Sequence, residues 1–188
     1  MGQPGLTTDR LRLVPLGDEH LEDLIALDAD PEVTRFLYGR PRTRDDVIAS
    51  HAERMALGRR VDGLGYWVAV EEGVFAGLMM LPPGRDPGTA ELGYRIPRRR
   101  WRRGIASEAS RALLRHGFAT VGLERVYAQT MAVNVGSRAV MDAVGLRYVR
   151  TFHEEWPDPL PGAEEGEVEY EITRAMWTLG GGPRGSGE

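Results

Sequence analysis

The chain has 188 residues, of which 41% are hydrophobic and 28% are charged. This length suits one domain with a buried core, and the composition excludes disorder over most of the chain. The lack of cysteine excludes a disulfide framework, thiol catalysis and cysteine–zinc sites. No apolar stretch reaches the ~18 residues of a membrane span, and residues 1–9 do not resemble a signal peptide. We therefore expect a cytoplasmic protein that does not bind membranes.

The net charge of −4 conceals a separation of opposite charges along the chain. Every basic residue is arginine, which is typical of GC-rich codon usage, but such a bias does not explain why arginines crowd together between 95 and 103. Carboxylates crowd between 154 and 171 instead. The basic segment suggests an anionic ligand, and the acidic loop suggests either a cationic acceptor or a solubilising surface.

The first half of the chain predicts one strand, two helices and then a hairpin. Residues 10–16 alternate polar and apolar side chains, as a half-buried strand does. We predict that Asp18 caps the first helix and Thr43 the second. The second helix has an apolar side that consists of Val47, Ile48, His51 and Met55. Residues 66–70 and 74–81 are predicted to be strands joined by a tight turn.

The second half alternates strands and helices. The predicted strands cover 90–96, 125–133, 146–152 and 167–173, and the predicted helices cover 105–120 and 134–145. Asn134 is the expected N-cap and Gly145 the expected C-cap of the second of these helices. Hairpins combined with strand–helix–strand crossovers predict an α/β (α+β) fold with a mixed sheet and helices on its faces.

The turn from Pro97 to Glu108 reads PRRRWRRGIASE and connects a predicted strand to a predicted helix. The small residues Gly104 and Ala106 allow a ligand to approach the backbone, and a helix N-terminus favours phosphate. The turn is neither a Rossmann fingerprint nor a P-loop, because it lacks the spaced glycines and the lysine. An arginine-rich, solvated turn that begins a surface helix is the alternative.

Taken together, four segments resemble the GNAT N-acetyltransferases, particularly the branch of the ribosomal-protein N-terminal acetyltransferases. They are AELGYRIP at 90–97, WRRGIASEA at 101–109, NVGSRAVMDAVGL at 134–146 and EYEITRAMW at 169–177. The resemblance spans 6–177. It implies a GNAT fold with a central, mostly antiparallel sheet of about six or seven strands and about four helices. We expect one such domain over 1–178 and a flexible glycine-rich tail over 179–188.

The resemblance also implies a binding site for acetyl-CoA as co-substrate. In the family, the backbone of this turn binds the coenzyme A pyrophosphate, and the end of the preceding strand binds the pantetheine arm. The corresponding residues here are Ile96, Trp101, Arg102, Arg103, Gly104, Ile105, Ala106, Ser107, Asn134 and Ser137. Most members have Gln or Arg at the position of Trp101, but a departure there is common in this branch. Arg98 to Arg100 are expected near the adenosine phosphates.

The implied chemistry is direct transfer of an acetyl group to a neutral amine, without a metal. Glu91 is the candidate general base, with an exposed strand carboxylate as the alternative interpretation, and His153 and Glu154 are second candidates. Many members use a tyrosine as the acid, but residues 134–145 contain none. Ser137 takes that role by resemblance, although a thiolate with a pKa near ~8.5 leaves readily. We expect His51 and His116 to be structural.

The expected acceptor is a primary amine, on either a small molecule or a protein N-terminus, and a homodimer is possible in this branch. Two other functions remain open at this point: a non-catalytic acyl-CoA-binding relative, and an RNA-binding module that uses the arginines. The net negative charge and the lack of interleaved aromatic residues argue against nucleic acid.

Overall fold

A computed structural model describes residues 2–153 and 159–180. The strands are β1 (Leu6–Thr7), β2 (Leu11–Pro15), β3 (Gly65–Glu71), β4 (Val74–Leu81), β5 (Thr89–Glu91), β6 (Gly93–Arg95), β7 (Arg125–Met131), β8 (Arg147–Phe152) and β9 (Glu167–Thr173). The helices are α1 (Leu21–Asp28), α2 (Pro31–Thr34), α3 (Arg44–Leu57), α4 (Ile105–Arg115), α5 (Val135–Ala143) and α6 (Arg174–Leu179). A π-helical segment, His116–Val121, extends α4.

The strands form two sheets. The first has the order β1-β2-β3-β4-β6 and is antiparallel throughout. The second has the order β5-β7-β9-β8, in which only the β5–β7 pair is parallel. The mixed α/β fold class is confirmed, with more strands than expected in the described part of the chain because short strands such as β1 leave little sequence signal.

The chain passes from one sheet to the other at Leu92. The sequence predicts one strand over 90–96, but β5 pairs with β7 whereas β6 pairs with β4. The Leu92 N–H donates to the carbonyl of Tyr127 at 2.7 Å, which is the last link to the second sheet. The two sheets therefore diverge directly after Glu91. This divergence creates the opening around which the candidate site is built.

Helices cover both faces of the first sheet. On one side, α4 buries Ile105, Ala109 and Leu113, which follow helical spacing, in the main apolar core. On the other side, Leu24 of α1 and Val47 of α3 pack in a second core with strand residues such as Leu78. No helix within the described ranges is long and apolar enough to cross a membrane.

Two of the three predicted N-caps are confirmed and one is wrong. The Thr43 hydroxyl accepts from the Asp46 N–H, and the Asn134 side chain accepts from the Ser137 N–H. Asp18 is not an N-cap. It opens a 3₁₀ turn after Gly17, α1 begins only at Leu21, and the Asp18 carboxylate meets His51 Nε2 at 2.9 Å instead.

Other expectations for individual residues have mixed outcomes. Ile48 is 42% exposed and therefore does not belong to the apolar side of α3. The C-cap of α5 is Val144 and not Gly145, which follows it in the left-handed conformation with φ 94°. The tail prediction falls mostly on 181–188, which lies outside the described residues.

Candidate active site

The opening between the sheets lies beside the edge of β6. Within the described residues, β6 is the last strand of the first sheet, and its neighbour in sequence, β5, belongs to the second sheet. A ligand that carries amides can extend such an edge by backbone hydrogen bonds. This edge leads directly to the arginine-rich turn and to the N-terminus of α4.

The turn before α4 has the backbone geometry of an anion site. Arg102 has φ 58° and Gly104 has φ 77°, so two left-handed residues alternate with ordinary ones. Successive N–H groups in such a turn converge on an anion. Within the described residues no side chain caps α4, in contrast to α3 and α5. The first N–H groups of α4 therefore have no side-chain partner, and the turn fits a pyrophosphate.

The side chains of two arginines in the turn form ion pairs with a glutamate of the first sheet. Glu71, which is buried at the end of β3, pairs with Arg100 at 2.5 Å and with Arg103 at 3.3 Å. The Arg100 guanidinium therefore lies against Glu71, and the contact of Arg98 to Arg100 with the adenosine phosphates stays a prediction. Arg10 adds a bond from Nη2 to the Arg103 carbonyl at 3.0 Å, and Arg10 is itself held by Glu108 of α4.

Trp101 connects the turn to the end of the strand. Its indole Nε1 donates to the Ile96 carbonyl at 2.7 Å, although the residue is 43% exposed. The expectation that Ile96 binds the pantetheine arm therefore rests on its N–H. The indole also fixes the distance between the strand end and the first residues of the turn.

Tyr94 of β6 bonds to the first turn of α5. Its hydroxyl lies 2.9 Å from the Ser137 carbonyl and 3.0 Å from the Ser137 hydroxyl. Burial raises the pKa of Tyr94 to about 12, so the phenol keeps its proton. Sequence reasoning missed this residue, because it searched for a tyrosine on α5 and not on the strand opposite.

Glu91 lies at the end of β5, directly before the divergence. Burial raises the pKa of its carboxyl group, while the charge of Arg85 and a hydrogen bond with Tyr127 oppose the rise. A half-buried carboxylate with a raised pKa is suited to accept a proton near neutral pH. Glu91 thus ends β5 where the sheets separate, Ser137 lies in the first turn of α5, and their catalytic roles stay predictions.

Comparison with known proteins agrees with this geometry. The sequence model of the family described as "Acetyltransferase (GNAT) domain" matches residues 10–147. The chain belongs to this family. It is 43% identical, over 184 residues, to the FsC-acetyl coenzyme A-N(2)-transacetylase of Aspergillus fumigatus, and the match covers 93% of the chain and 78% of that protein. The chain is thus an N-acetyltransferase, and its family uses acetyl-CoA.

Solved structures confirm the fold. A GNAT-family acetyltransferase from Bacillus anthracis superimposes with a TM-score of 0.77 at 21% identity, over 92% of this chain and 99% of that one. RimL, the ribosomal L7/L12 alpha-N-protein acetyltransferase, was solved in complex with coenzyme A. It has the same TM-score of 0.77 at 16% identity, over 90% of this chain and 98% of that one.

Other carboxylates of this acetyltransferase, on β9, form hydrogen bonds and ion pairs with nearby side chains. Glu169 accepts from Arg125, Gln129 and Arg150 at 2.7 to 3.0 Å. These bonds lower the pKa of Glu169, although burial opposes them. Glu171 also pairs with Arg125, at 2.6 Å. The acidic segment is therefore largely neutralised on β9, while Glu154, Glu155 and Asp158 lie outside the described residues.

Two histidines of the acetyltransferase have structural contacts. His116 Nε2 bonds to the Gly63 carbonyl at 2.7 Å, and its ring packs edge-on against Trp67. His51 pairs with Asp18 across α3 and the turn before α1. These contacts leave Glu91 as the base candidate that both the sequence and the geometry favour.

Proposed function

We propose that the protein transfers the acetyl group of acetyl-CoA to the amine nitrogen of a small molecule. The observation that carries this proposal is the position of Glu91, a half-buried carboxylate at the point where the two sheets separate. The relative at 43% identity supports transfer to an amine nitrogen, since its name specifies an N(2)-transacetylase that uses acetyl coenzyme A. The similarity to RimL lies below 25% identity and supports the fold only.

The turn would hold the pyrophosphate through its backbone. The first N–H groups of α4 lack a side-chain cap and lie at the helix end where the dipole favours negative charge. Glu71 holds the side chains of Arg100 and Arg103 through ion pairs. Asn134 and Ile96 would contact the pantetheine arm along the edge of β6, and Trp101 would maintain their spacing from the turn.

Glu91 would act on the acceptor. Acetyl-CoA, when bound, supplies an acetyl thioester that a neutral amine can attack directly. Glu91 would take the ammonium proton, directly or through a water molecule, because its raised pKa brings it closer to the working pH. Backbone N–H groups near Ile96 would donate to the carbonyl oxygen on which negative charge develops.

Ser137 and Tyr94 would supply a proton to the leaving thiolate. The Tyr94 hydroxyl has one proton, and the two oxygens near it belong to Ser137. When Tyr94 donates to the Ser137 carbonyl, the serine hydroxyl can donate to Tyr94 or turn towards a leaving group. The pair therefore holds an exchangeable proton at the first turn of α5.

The test combines binding with turnover. We expect acetyl-CoA to raise the melting temperature, since a ligand at 100 times its Kd stabilises a protein by ~2.7 kcal/mol. Release of free thiol is then measured with small primary amines and, separately, with peptides that have free N-termini. Faster turnover of the small amines supports the proposal. Turnover of peptides alone would replace the acceptor class, and binding without any turnover would contradict the proposed function.

A further inference from the structure

Three buried arginines converge on one carboxylate beside the candidate active site. Asp28, at the end of α1, is only 1% exposed. Arg95 Nη1 donates to both of its oxygens, at 2.9 and 2.7 Å. Arg42 and Arg54 approach the same carboxylate less closely, with nitrogen–oxygen distances of 3.7 and 3.9 Å. We call Arg42, Arg54 and Arg95 the arginine pocket.

The charge of the arginine pocket exceeds what Asp28 can neutralise. The side chains of Arg42, Arg54 and Arg95 are 12%, 8% and 9% exposed, so water screens them poorly. Burial, followed by the charge of Arg95, lowers the pKa of Arg54. Uncompensated buried charge is costly, and proteins keep it where a ligand brings the opposite charge.

The arginine pocket also has hydrogen-bond donors without acceptors. Arg42 Nη1, Arg54 Nη1 and Arg95 Nε are buried and have no hydrogen-bond partner within the described residues. Nearly all buried polar groups in proteins have a partner, so three such atoms in one cluster require an explanation. A planar oxyanion would accept from all of them, because guanidinium groups match carboxylates in shape.

Tyr38 packs against the arginine pocket and accepts one of its hydrogen bonds. Its hydroxyl accepts from Arg95 Nη2 at 2.8 Å, and its ring lies 4.6 Å from the Arg42 guanidinium and 5.2 Å from that of Arg95. Tyr38 is 39% exposed and lies in the turn between α2 and α3. Moving it aside would therefore cost less than moving a core side chain, and an anionic oxygen could take the place of its phenol oxygen.

The arginine pocket and Glu91 lie on the same side of the sheets. Arg95 pairs in register with Leu78, which faces α1 and α3. Glu91 alternates with Ala90 and Leu92, which face the main core on the other side, so Glu91 faces the side of α1 and α3. The charges of Arg54, Glu91 and Arg95 also all affect the pKa of the Tyr66 hydroxyl group on β3. A single small molecule could therefore present one end to Glu91 and the other to the arginine pocket.

We propose that the arginine pocket binds a carboxylate group of the amine acceptor, so that the preferred substrates are amino-carboxylates. This inference deepens the proposed function and rests on it for the position of the amine. It adds a requirement that the reaction itself does not have, namely a negative charge on the acceptor at a distance from the nitrogen.

The first experiment compares matched acceptors with the full-length protein. The kcat/KM for acetylation is measured for a series of ω-amino carboxylates and for the n-alkylamines of the same chain length. We expect a preference of about tenfold to a hundredfold for the carboxylates at the best length, as charged hydrogen bonds predict. Equal kcat/KM across all pairs would overturn the arginine pocket as a carboxylate site while leaving the acetyltransferase proposal intact.

The second experiment assigns the preference to residues. Arg54→Gln should reduce the ratio of the two kcat/KM values to about one, whereas Arg60→Gln, at an exposed arginine in the loop after α3, should keep it. Stabilisation by coenzyme A shows that each variant is folded. Tyr38→Phe, at an exposed position, should lower the KM for amino-carboxylates about two- to tenfold by removing the competing oxygen. A ratio that survives Arg54→Gln, or a higher KM in Tyr38→Phe, would contradict the proposal.

A third measurement does not depend on turnover. Saturation-transfer NMR with hexanoate and with hexan-1-ol tests the arginine pocket without an amine. Hexanoate should bind to the wild-type protein and to Arg60→Gln but not to Arg54→Gln, and hexan-1-ol should not bind. If hexanoate binds but no amine is acetylated, the arginine pocket stands and the proposed function fails. If hexanoate does not bind or binds equally to Arg54→Gln, the arginine pocket fails.

Discussion

The Tyr94 hydroxyl lies 3.0 Å from the Ser137 hydroxyl, across the gap between strand β6 and helix α5. This contact joins the first sheet to the helix that connects β7 and β8 of the second sheet. A buried hydrogen bond of this kind contributes about 1 kcal/mol to stability. It also places a phenol that stays protonated, with a pKa of about 12, next to the candidate acid.

Ser137→Ala should lower kcat by less than about tenfold. The leaving thiolate has a pKa near ~8.5 and departs without much help from an acid, so the serine contributes little to the barrier. Tyr94→Phe should have a similarly small effect on kcat. Steady-state kinetics at saturating acetyl-CoA measures both. A loss above about a thousandfold would instead identify this pair as an essential acid.

Glu91→Gln should reduce kcat by about a hundredfold to ten-thousandfold, the usual contribution of a general base, with little change in the KM for acetyl-CoA. Glu169→Gln, on β9 of the same sheet, is the matched control, because its carboxylate is already bound by three donors. It should keep most of the activity. If both variants lose activity equally, the role of base does not belong to Glu91 alone.

The acid limb of the pH profile should report Glu91. The base works only when it is deprotonated, so kcat/KM falls as the pH drops through its pKa, which burial raises above 4.5. The charge of Arg85 lowers that pKa, so Arg85→Gln should move the limb to higher pH. Arg115→Gln, at an exposed arginine on α4, should not move it. A shift to lower pH in Arg85→Gln would contradict this assignment.

The same two carboxylates should have opposite effects on stability. The raised pKa of Glu91 means that its charged form costs free energy of folding at neutral pH, and the cost disappears below the unfolded pKa. Glu91→Gln should therefore raise the melting temperature at pH 7, with a difference that vanishes near pH 4. The lowered pKa of Glu169 means that its charged form stabilises the fold above the unfolded pKa.

Glu169→Gln should consequently lower the melting temperature at pH 7, and this loss should shrink as the pH falls through the folded pKa of Glu169. Differential scanning calorimetry of both variants, from pH 7 down to below the folded pKa of Glu169, measures the two trends. Destabilisation by Glu91→Gln at pH 7 would show that its charge is compensated in the folded state, and would remove the reason to regard it as a base.

The sequence predicts most of this fold because the signals are local. Thr43 and Asn134 cap helices where a polar side chain precedes an apolar helical pattern. The division of the strand at Leu92 was not predictable in this way, because 90–96 is continuously strand-like and its two halves differ only in their partners. Pairing between distant strands is a tertiary property that a local pattern does not contain.

The candidate site was predictable to a similar extent. The turn with Gly104 follows from its composition, whereas the role of Glu71 does not, because it lies more than twenty residues before Arg100. The arginine pocket illustrates the same limit. Asp28, Arg54 and Arg95 come from two helices and a strand, and only the packing of α1 and α3 on the sheet brings them together.

Gly104→Ala should weaken the binding of acetyl-CoA and destabilise the fold. Gly104 has φ 77°, and a left-handed residue with a Cβ costs about 1–2 kcal/mol. Gly73→Ala is the matched control, because Gly73 has φ 79° in the β3–β4 turn and an added Cβ there meets nothing within 4 Å. Both variants should lose a similar amount of stability, but only Gly104→Ala should raise the KM for acetyl-CoA, since it disturbs the N–H groups that converge before α4.

Calorimetry measures the loss of stability in the two glycine variants, and steady-state kinetics measures the KM for acetyl-CoA. An equal rise in the KM for acetyl-CoA in both variants would mean that general destabilisation, and not the turn, controls binding.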